Sequence, residues 1–134
     1  MKLPDTCVWV EVLADTPTGR RYRALFDRSQ ELIVPTLVQY ELRRWALREL
    51  GEDAADQITA ATRNATVVVL DEPTALHAAT LAQEFKLASA DALIYASALR
   101  HGATLMSCDR HFEDIPGVDY QPKTSAPTRR RPPA

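Results

Sequence analysis

The chain has 134 residues, a hydrophobic content of 46%, a charged content of 25% and a formal net charge of −2, which are values typical of one soluble globular domain. No apolar run approaches the roughly 20 residues that a membrane-spanning helix needs, and the sequence around Pro4 and Asp5 is unlike a secretion signal. The two cysteines, Cys7 and Cys108, have neither CxxC spacing nor a neighbouring histidine cluster, so we expect reduced thiols in a cytoplasmic protein and no zinc site.

The charges are unevenly distributed along the chain. The last fourteen residues contain Lys123, three arginines at 129–131 and four prolines but no acid, whereas residues 1–120 hold all 18 acidic groups and 12 basic ones. Such a proline-rich basic segment predicts disorder over 121–134, after one folded domain over 1–120. An acidic domain binds phosphates poorly, so a protein of this kind that acts on a nucleic acid needs local basic patches or bound cations.

Apolar runs and helical spacing alternate along the domain, starting with a very short strand that ends near Asp5. Typical boundary residues separate the segments, such as Gly51 after one helix and Pro73 at the start of another. In chain order we predict a helical piece over 8–13, a helix over 17–29, a strand over 32–34, helices over 36–50 and 52–64, a buried strand over 67–70, helices over 73–86 and 89–101, and strands over 104–107 and 118–120. This alternation predicts an α/β fold with a mostly parallel sheet.

The helix that begins near Ser89 is small or apolar on nearly every side, and it carries one carboxylate, Asp91, in its first turn. A helix of this composition is normally buried between other elements, so Asp91 is expected to face the interior. A buried carboxylate needs a partner, which is a hydrogen-bond donor, a cation or a metal.

Three further acids are predicted to lie close to Asp91. Asp5 and Asp109 end two of the predicted strands, and the carboxyl ends of parallel strands form the edge of a sheet where ligands bind. A right-handed connection brings Asp91 to the same edge. Glu41 interrupts the apolar face of its helix, where an unpaired glutamate is costly.

Taken singly, each acid has an ordinary explanation as a helix-dipole, turn or ion-pair residue. Together, carboxylates without matching bases repel one another, which raises their pKa values. Mg²⁺ or Mn²⁺ with oxygen ligands would relieve that repulsion.

Four short segments carry a more specific pattern. They are DTCVW at 5–9, YEL at 40–42, ADALI at 90–94 followed by GATL at 102–105, and SCDRHF at 107–112 followed by IPGV at 115–118. Their order and spacing over residues 1 to about 120 resemble the PIN-domain nucleases, in particular the VapC-type toxins of toxin–antitoxin pairs. The chain departs from that family's pattern at Pro4, which precedes the first acid, at Cys7, which replaces serine or asparagine, and at His111, which replaces a further aspartate.

The resemblance implies a ribonuclease-H-like α/β/α sandwich with a short, mostly parallel central sheet. It implies a Mg²⁺- or Mn²⁺-dependent endoribonuclease whose catalytic and metal-binding acids fall on Asp5, Glu41, Asp91 and Asp109. It also implies an RNA substrate, homodimerisation and neutralisation by a cognate antitoxin protein.

Four other residues are candidates for substrate binding in such an enzyme. Thr6 and Ser107 are candidates for hydrogen bonds to the carboxylates or to the phosphate, and Arg43 and Arg44 are candidates for holding RNA phosphates. Thr6 and Ser107 are equally explained as ordinary hydroxyl residues at strand ends, and the two arginines as part of a solvated helix face.

Two other functions compete with the nuclease. A receiver-type signalling domain also has an acidic sheet edge, and Asp71 follows the third predicted strand, but Asp5 has no adjacent acid and no lysine follows the last strand before the tail. A non-catalytic PIN-like binding module would be favoured by a missing metal acid, whereas all four acids are present.

Overall fold

Five short strands and six α-helices alternate along residues 1–124, the part of the chain that this computed structural model describes. The strands are β1 (Lys2–Pro4), β2 (Ile33–Pro35), β3 (Thr66–Val68), β4 (Thr104–Ser107) and β5 (Val118–Tyr120). The helices are α1 (Thr6–Leu13), α2 (Pro17–Phe26), α3 (Thr36–Glu49), α4 (Glu52–Thr62), α5 (Glu72–Phe85) and α6 (Ser89–Arg100). Single 3₁₀ turns cover Ser29–Glu31 and Arg110–Phe112.

All the strand pairs are parallel, which confirms the predicted α/β fold with a parallel sheet. β4 lies between β1 and β5, β3 pairs with β2, and a bridge between Lys2 and Leu32 joins the two groups in the order β3-β2-β1-β4-β5. Leu3 of β1 stands opposite Leu105 of β4, and both are fully buried. Since β1 and β4 are neighbours, the residues that follow them meet at one edge of the sheet.

Side-chain caps fix the start of three helices. Asp5, Thr16 and Asp71 each accept a hydrogen bond from a backbone N–H three residues later, at 3.0 to 3.1 Å. Such caps satisfy amides that the helix itself leaves free. The cap of α1 is therefore the same carboxylate that ends β1, which places Asp5 between a central strand and a helix.

Helices α1 and α2 approach each other closely at Gly19. A Cβ atom at this position would lie 2.0 Å from the carbonyl oxygen of Glu11 and 2.7 Å from the amide nitrogen of Val12. Side chains do not tolerate such distances, so the backbone of α2 packs directly on that of α1. The position of α1 thus depends on a glycine in the next helix.

The prediction of a buried strand over 67–70 is wrong in its bounds and in its burial. β3 covers Thr66–Val68, and the following Val69 is 73% exposed. Val67 and Leu70 are exposed as well. The reason is that β3 pairs with β2 alone among the described strands and so forms an edge of the sheet. β-branched residues favour an extended backbone at an edge as well as in a core.

The first residues of the predicted tail lie against the domain. The Gln121 amide donates to the Ser107 carbonyl at 3.0 Å, and the Thr124 amide donates to the Thr18 hydroxyl at 2.8 Å. Residues 125–134, which make up the rest of the predicted disordered segment, lie outside the described residues. Within 1–124, none of the helices is both long and apolar enough to cross a membrane.

Candidate active site

The four acids that the sequence singles out all line one cavity of about 280 Å³. It lies where β1 and β4 end, and α1, α3 and α6 contribute its other walls. The lining residues are Asp5, Thr6, Cys7, Val10, Glu11, Glu41, Asp91, Ile94, Asp109 and Lys123. Carboxylates therefore dominate this cavity.

Asp5 is the most deeply buried of the acids, with 4% of its surface exposed. Its carboxylate accepts hydrogen bonds from the Val8 amide at 3.1 Å, from the Cys7 thiol at 2.8 Å and from the Ser107 hydroxyl. Burial nevertheless raises the pKa of Asp5 to about 6, because loss of water penalises the charged form more than these donors and their dipoles stabilise it.

Glu41 reaches the cavity from α3 and is held by α1. The Thr6 hydroxyl donates to one of its carboxylate oxygens at 2.7 Å. This contact explains how a glutamate is accommodated on the otherwise apolar face of α3. It also links the first turn of α1 to the middle of α3.

Asp91 and Asp109 both lie close to the imidazole of His111. The Nδ1 atom of His111 lies 3.4 Å from Asp91 Oδ2 and 3.2 Å from Asp109 Oδ1, and ligand atoms of the three residues lie within 4.8 Å of one another. Burial raises the pKa of Asp91, the charge of Asp109 raises it further, and His111 opposes both effects. The His111 side chain is 71% exposed.

Ser107 connects the two sides of the cavity. Its hydroxyl donates to Asp5 and accepts from the Asp109 amide at 3.0 Å, and the residue is fully buried. A buried hydroxyl with both roles satisfied has a fixed orientation. Ser107 therefore fixes the Asp5 carboxylate relative to the backbone that carries Asp109.

The structure does not bring Arg43 and Arg44 into the acidic cavity. Arg43 donates to Asp56 at 2.9 Å and to Thr59 at 3.0 Å, which ties α3 to α4. Arg44 lines a separate surface groove on α3 beside Tyr40. Neither arginine is among the residues that line that cavity.

Sequence reasoning missed two charged residues of the cavity, Glu11 and Lys123. Lys123 Nζ lies 3.5 Å from Glu11 Oε1, and both residues line the cavity. Glu11 follows Cys7 by four residues on α1, so helical spacing would have placed it on the same face. Lys123 lies beyond the last strand, and no local pattern predicts where it folds back.

The arrangement fits a divalent cation. Carboxylate oxygens are the ligands that Mg²⁺ and Mn²⁺ prefer, and five acids here face one lysine among the described residues of the lining. The raised pKa values of Asp5 and Asp91 are what uncompensated burial and like charge produce. A bound cation would lower both values. Asp91, Asp109 and His111 are the described residues whose potential ligand atoms already lie within 4.8 Å of one another.

Comparisons with known proteins point to one fold family. A search of curated proteins gives no match. Among solved structures, the chain is similar to a toxin–antitoxin complex from Klebsiella pneumoniae, with a TM-score of 0.75 and 24% identity over 88% of this chain and 95% of that one. It is similar to Mycobacterium tuberculosis VapC20, described as a sarcin-ricin loop cleaving toxin, with a TM-score of 0.72 and 20% identity over 91% of this chain and 100% of the other. FitAcB from Neisseria gonorrhoeae gives a TM-score of 0.67 and 24% identity over 81% of this chain and 88% of that one.

Identities below 25% establish a shared fold, and the family follows from a separate comparison of the sequence. A family model described as PIN domain matches residues 2–118, which is nearly the whole described chain. The chain belongs to the PIN-domain family.

Proposed function

We propose that this protein is a Mg²⁺- or Mn²⁺-dependent endoribonuclease and the toxin of a type II toxin–antitoxin pair. The observation that carries the proposal is the convergence of Asp5, Glu41, Asp91 and Asp109 on one cavity. Structural relatives support the biological role, because they include a loop-cleaving toxin and toxin–antitoxin complexes.

The chain's own residues divide the work in this proposal. The four acids hold the metal, and Thr6 and Ser107 orient two of them through hydrogen bonds. Lys123 provides a positive charge for a substrate phosphate at the cavity wall. A bound divalent ion lowers the pKa of water and stabilises charge on the departing oxygen in phosphodiester hydrolysis. Such chemistry is indifferent to the sugar, so RNA is assigned from the relatives rather than from the acids.

The test is RNA cleavage by the purified full chain. Structured RNAs are incubated with Mg²⁺ or Mn²⁺, with EDTA, and with the Asp91→Asn variant. Asp27→Asn is the matched control, since Asp27 is exposed and lies outside the cavity. We expect cleavage by the wild type and Asp27→Asn alone, and only with added metal. Cleavage that persists in EDTA or in Asp91→Asn would reject the proposal.

The same experiment decides the remaining alternative. Membership of the PIN-domain family removes the receiver-type reading, which leaves a non-catalytic binding module. That module would bind RNA or a protein without cutting any substrate under any metal condition.

The partners are tested separately. Co-expression with a small protein encoded beside this one should yield a complex that suppresses RNA cleavage. Light scattering on the purified chain should give a dimer, and fractionation of cells should place it in the cytoplasm. A monomeric chain that no neighbouring protein inhibits would count against the toxin role while leaving the nuclease activity intact.

A further inference from the structure

The two cysteines of the chain lie next to each other although they are far apart in sequence. Cys7 sits in the first turn of α1, and Cys108 directly follows β4. Their Sγ atoms are 3.0 Å apart, and both thiols are free. A disulfide bond has a length of about 2.05 Å, so closing the gap requires a movement of about 1 Å.

The thiol pair touches the candidate active site on one side. The Cys7 thiol donates to Asp5 Oδ1 at 2.8 Å, and it lies 3.8 Å from the hydroxyl of Ser107. Ser107 is itself a donor to the same carboxylate. The sulfur of Cys7 therefore contacts both the Asp5 carboxylate and the sulfur of Cys108.

On its other side the pair borders a second cavity. This cavity has a volume of about 580 Å³ and is lined by both cysteines and by the exposed residues Arg110 and His111. Cys108 is buried, whereas Cys7 is partly exposed. A molecule the size of hydrogen peroxide has room to reach Cys7 by this route.

We propose that Cys7 and Cys108 are a modification site for peroxides, at which a reversible disulfide withdraws one hydrogen-bond donor from Asp5 and weakens divalent-metal binding. The proposed disulfide is inferred from the positions of the two thiols alone. Its effect on metal binding rests on the function proposed above. Disulfides in reducing compartments are usually transient and redox-sensing, which suits such a role.

The chemistry uses one peroxide molecule for each disulfide. One sulfur of the pair attacks one peroxide oxygen, the O–O bond breaks, and a sulfenic acid and a first water form. The second Sγ then attacks the oxidised sulfur, the S–O bond breaks, and the leaving hydroxide takes the remaining thiol proton as a second water. Two thiols are oxidised and the peroxide is reduced. An added dithiol reverses the bond by exchange.

The consequence for Asp5 follows from its hydrogen bonds. In the disulfide, Cys7 carries no S–H and its sulfur is drawn towards Cys108. Asp5 keeps the Val8 amide and the Ser107 hydroxyl but loses the third donor. Loss of a partner that orients a metal ligand costs about 10- to 100-fold in metal affinity.

The first measurement is a peptide map of the full chain after treatment with hydrogen peroxide. Trypsin releases Cys7 in the peptide 3–20 and Cys108 in the peptide 101–110. We expect these peptides to be cross-linked, with no oxygen added, and to separate on treatment with dithiothreitol. Peroxide that adds oxygen to separate thiols without a cross-link would overturn the proposal. The Cys108→Ala variant should give no intramolecular cross-link. If that variant does not fold, Cys108→Val is used in its place and should give the same result.

The second measurement is the affinity for Mn²⁺ alone, by calorimetry on protein whose cross-link has been verified by mass. The oxidised wild type should bind Mn²⁺ at least about 10-fold more weakly than the reduced wild type, and dithiothreitol should restore binding. Reduced Cys108→Ala should bind as the reduced wild type does. A cross-linked protein with unchanged Mn²⁺ affinity would overturn the coupling. Failure of the reduced wild type to bind Mn²⁺ or cut RNA would count against the proposed function, whereas the peptide map judges the disulfide independently.

Discussion

Asp5 and Asp91 line the same cavity, but the protein holds the two carboxylates in different ways. Asp5 is almost fully buried and accepts from a backbone amide, a thiol and a hydroxyl. Asp91 is partly exposed, and the exposed imidazole of His111 lies 3.4 Å from its carboxylate. One half of the site is therefore fixed before any ligand arrives, and the other half is adjustable.

Substitutions in the two halves of the site should therefore have different effects. On the fixed half, a substitution removes a ligand or one of its donors, so effects on metal binding and on stability should be large. On the adjustable half, side chains can respond to the ion, so single changes should shift preference among metals.

The largest effect is expected from Asp5→Asn. Asparagine still accepts from the Val8 amide as a helix cap, so the fold should persist while a charged ligand is lost. We expect RNA cleavage to fall by more than the roughly 100-fold that loss of an outer partner can cost. Gel-based cleavage assays measure this, and circular dichroism checks the fold. Cleavage within 10-fold of wild type would show that Asp5 is not a metal ligand.

The same variant should be more stable than the wild type when metal is absent. The pKa of Asp5 is about 6 in the folded protein, above its ordinary 3.8. Its folded-state preference for the proton therefore stabilises the protein below about pH 4, and this contribution is lost as the pH rises through 6. At pH 8 in EDTA, wild type should be less stable than Asp5→Asn by up to about 3 kcal/mol.

Urea unfolding at a series of pH values measures this difference. The difference in the free energy of unfolding between Asp5→Asn and wild type should grow between roughly pH 4 and pH 7. The wild type becomes the less stable of the two as the pH rises, because its buried carboxyl group must ionise. Added Mn²⁺ should narrow this difference by stabilising the wild type. A gap that does not change with pH would contradict the assigned burial of the Asp5 charge.

A smaller effect is expected from Ser107→Ala, which removes a donor from Asp5 and an acceptor from the Asp109 amide. We expect Mn²⁺ affinity to fall by about 10- to 100-fold, measured by calorimetry. Ser97→Ala is the matched control, because Ser97 is also buried but donates to the Leu93 carbonyl within α6. If both variants bind Mn²⁺ equally well, Ser107 does not orient the site.

The smallest effect is expected from His111→Asn on the adjustable half. Imidazole nitrogen suits ions such as Zn²⁺, whereas Mg²⁺ and Mn²⁺ prefer oxygen ligands. The ratio of Zn²⁺ to Mg²⁺ affinity should therefore fall, by less than about 10-fold since the site keeps its acids. Competition titrations measure the ratio, with the exposed His101→Asn as control. An unchanged ratio would place His111 outside the metal's surroundings.

Much of this architecture was predictable because local patterns are strong here. The predicted helix from about Ser89 corresponds closely to α6, and the strand predicted to end near Asp5 ends at Pro4. Parallel strands have their carboxyl ends on one edge, so two short apolar runs sufficed to place Asp5 beside Asp109. Glu41 was found because it breaks an apolar face.

The remainder depends on contacts between distant segments. The β-branched run near Val67 predicted a strand but not its place at an edge, because edge and centre share the same local preference. Arg43 followed Glu41 in sequence yet pairs with Asp56 on α4. Lys123 reaches the cavity only because the chain after β5 returns along β4 and α2.

Position 19 tolerates few substitutions although Gly19 itself does not line the cavity. Its hydrogen atom faces the Glu11 carbonyl, where a methyl group has no room, and α1 supplies Thr6, Cys7 and Glu11 to the cavity. In a library randomised at this codon, nearly every amino acid other than glycine should displace α1 and the side chains that it supplies to the cavity. Inactivating substitutions are therefore expected at position 19 as well as at the acids.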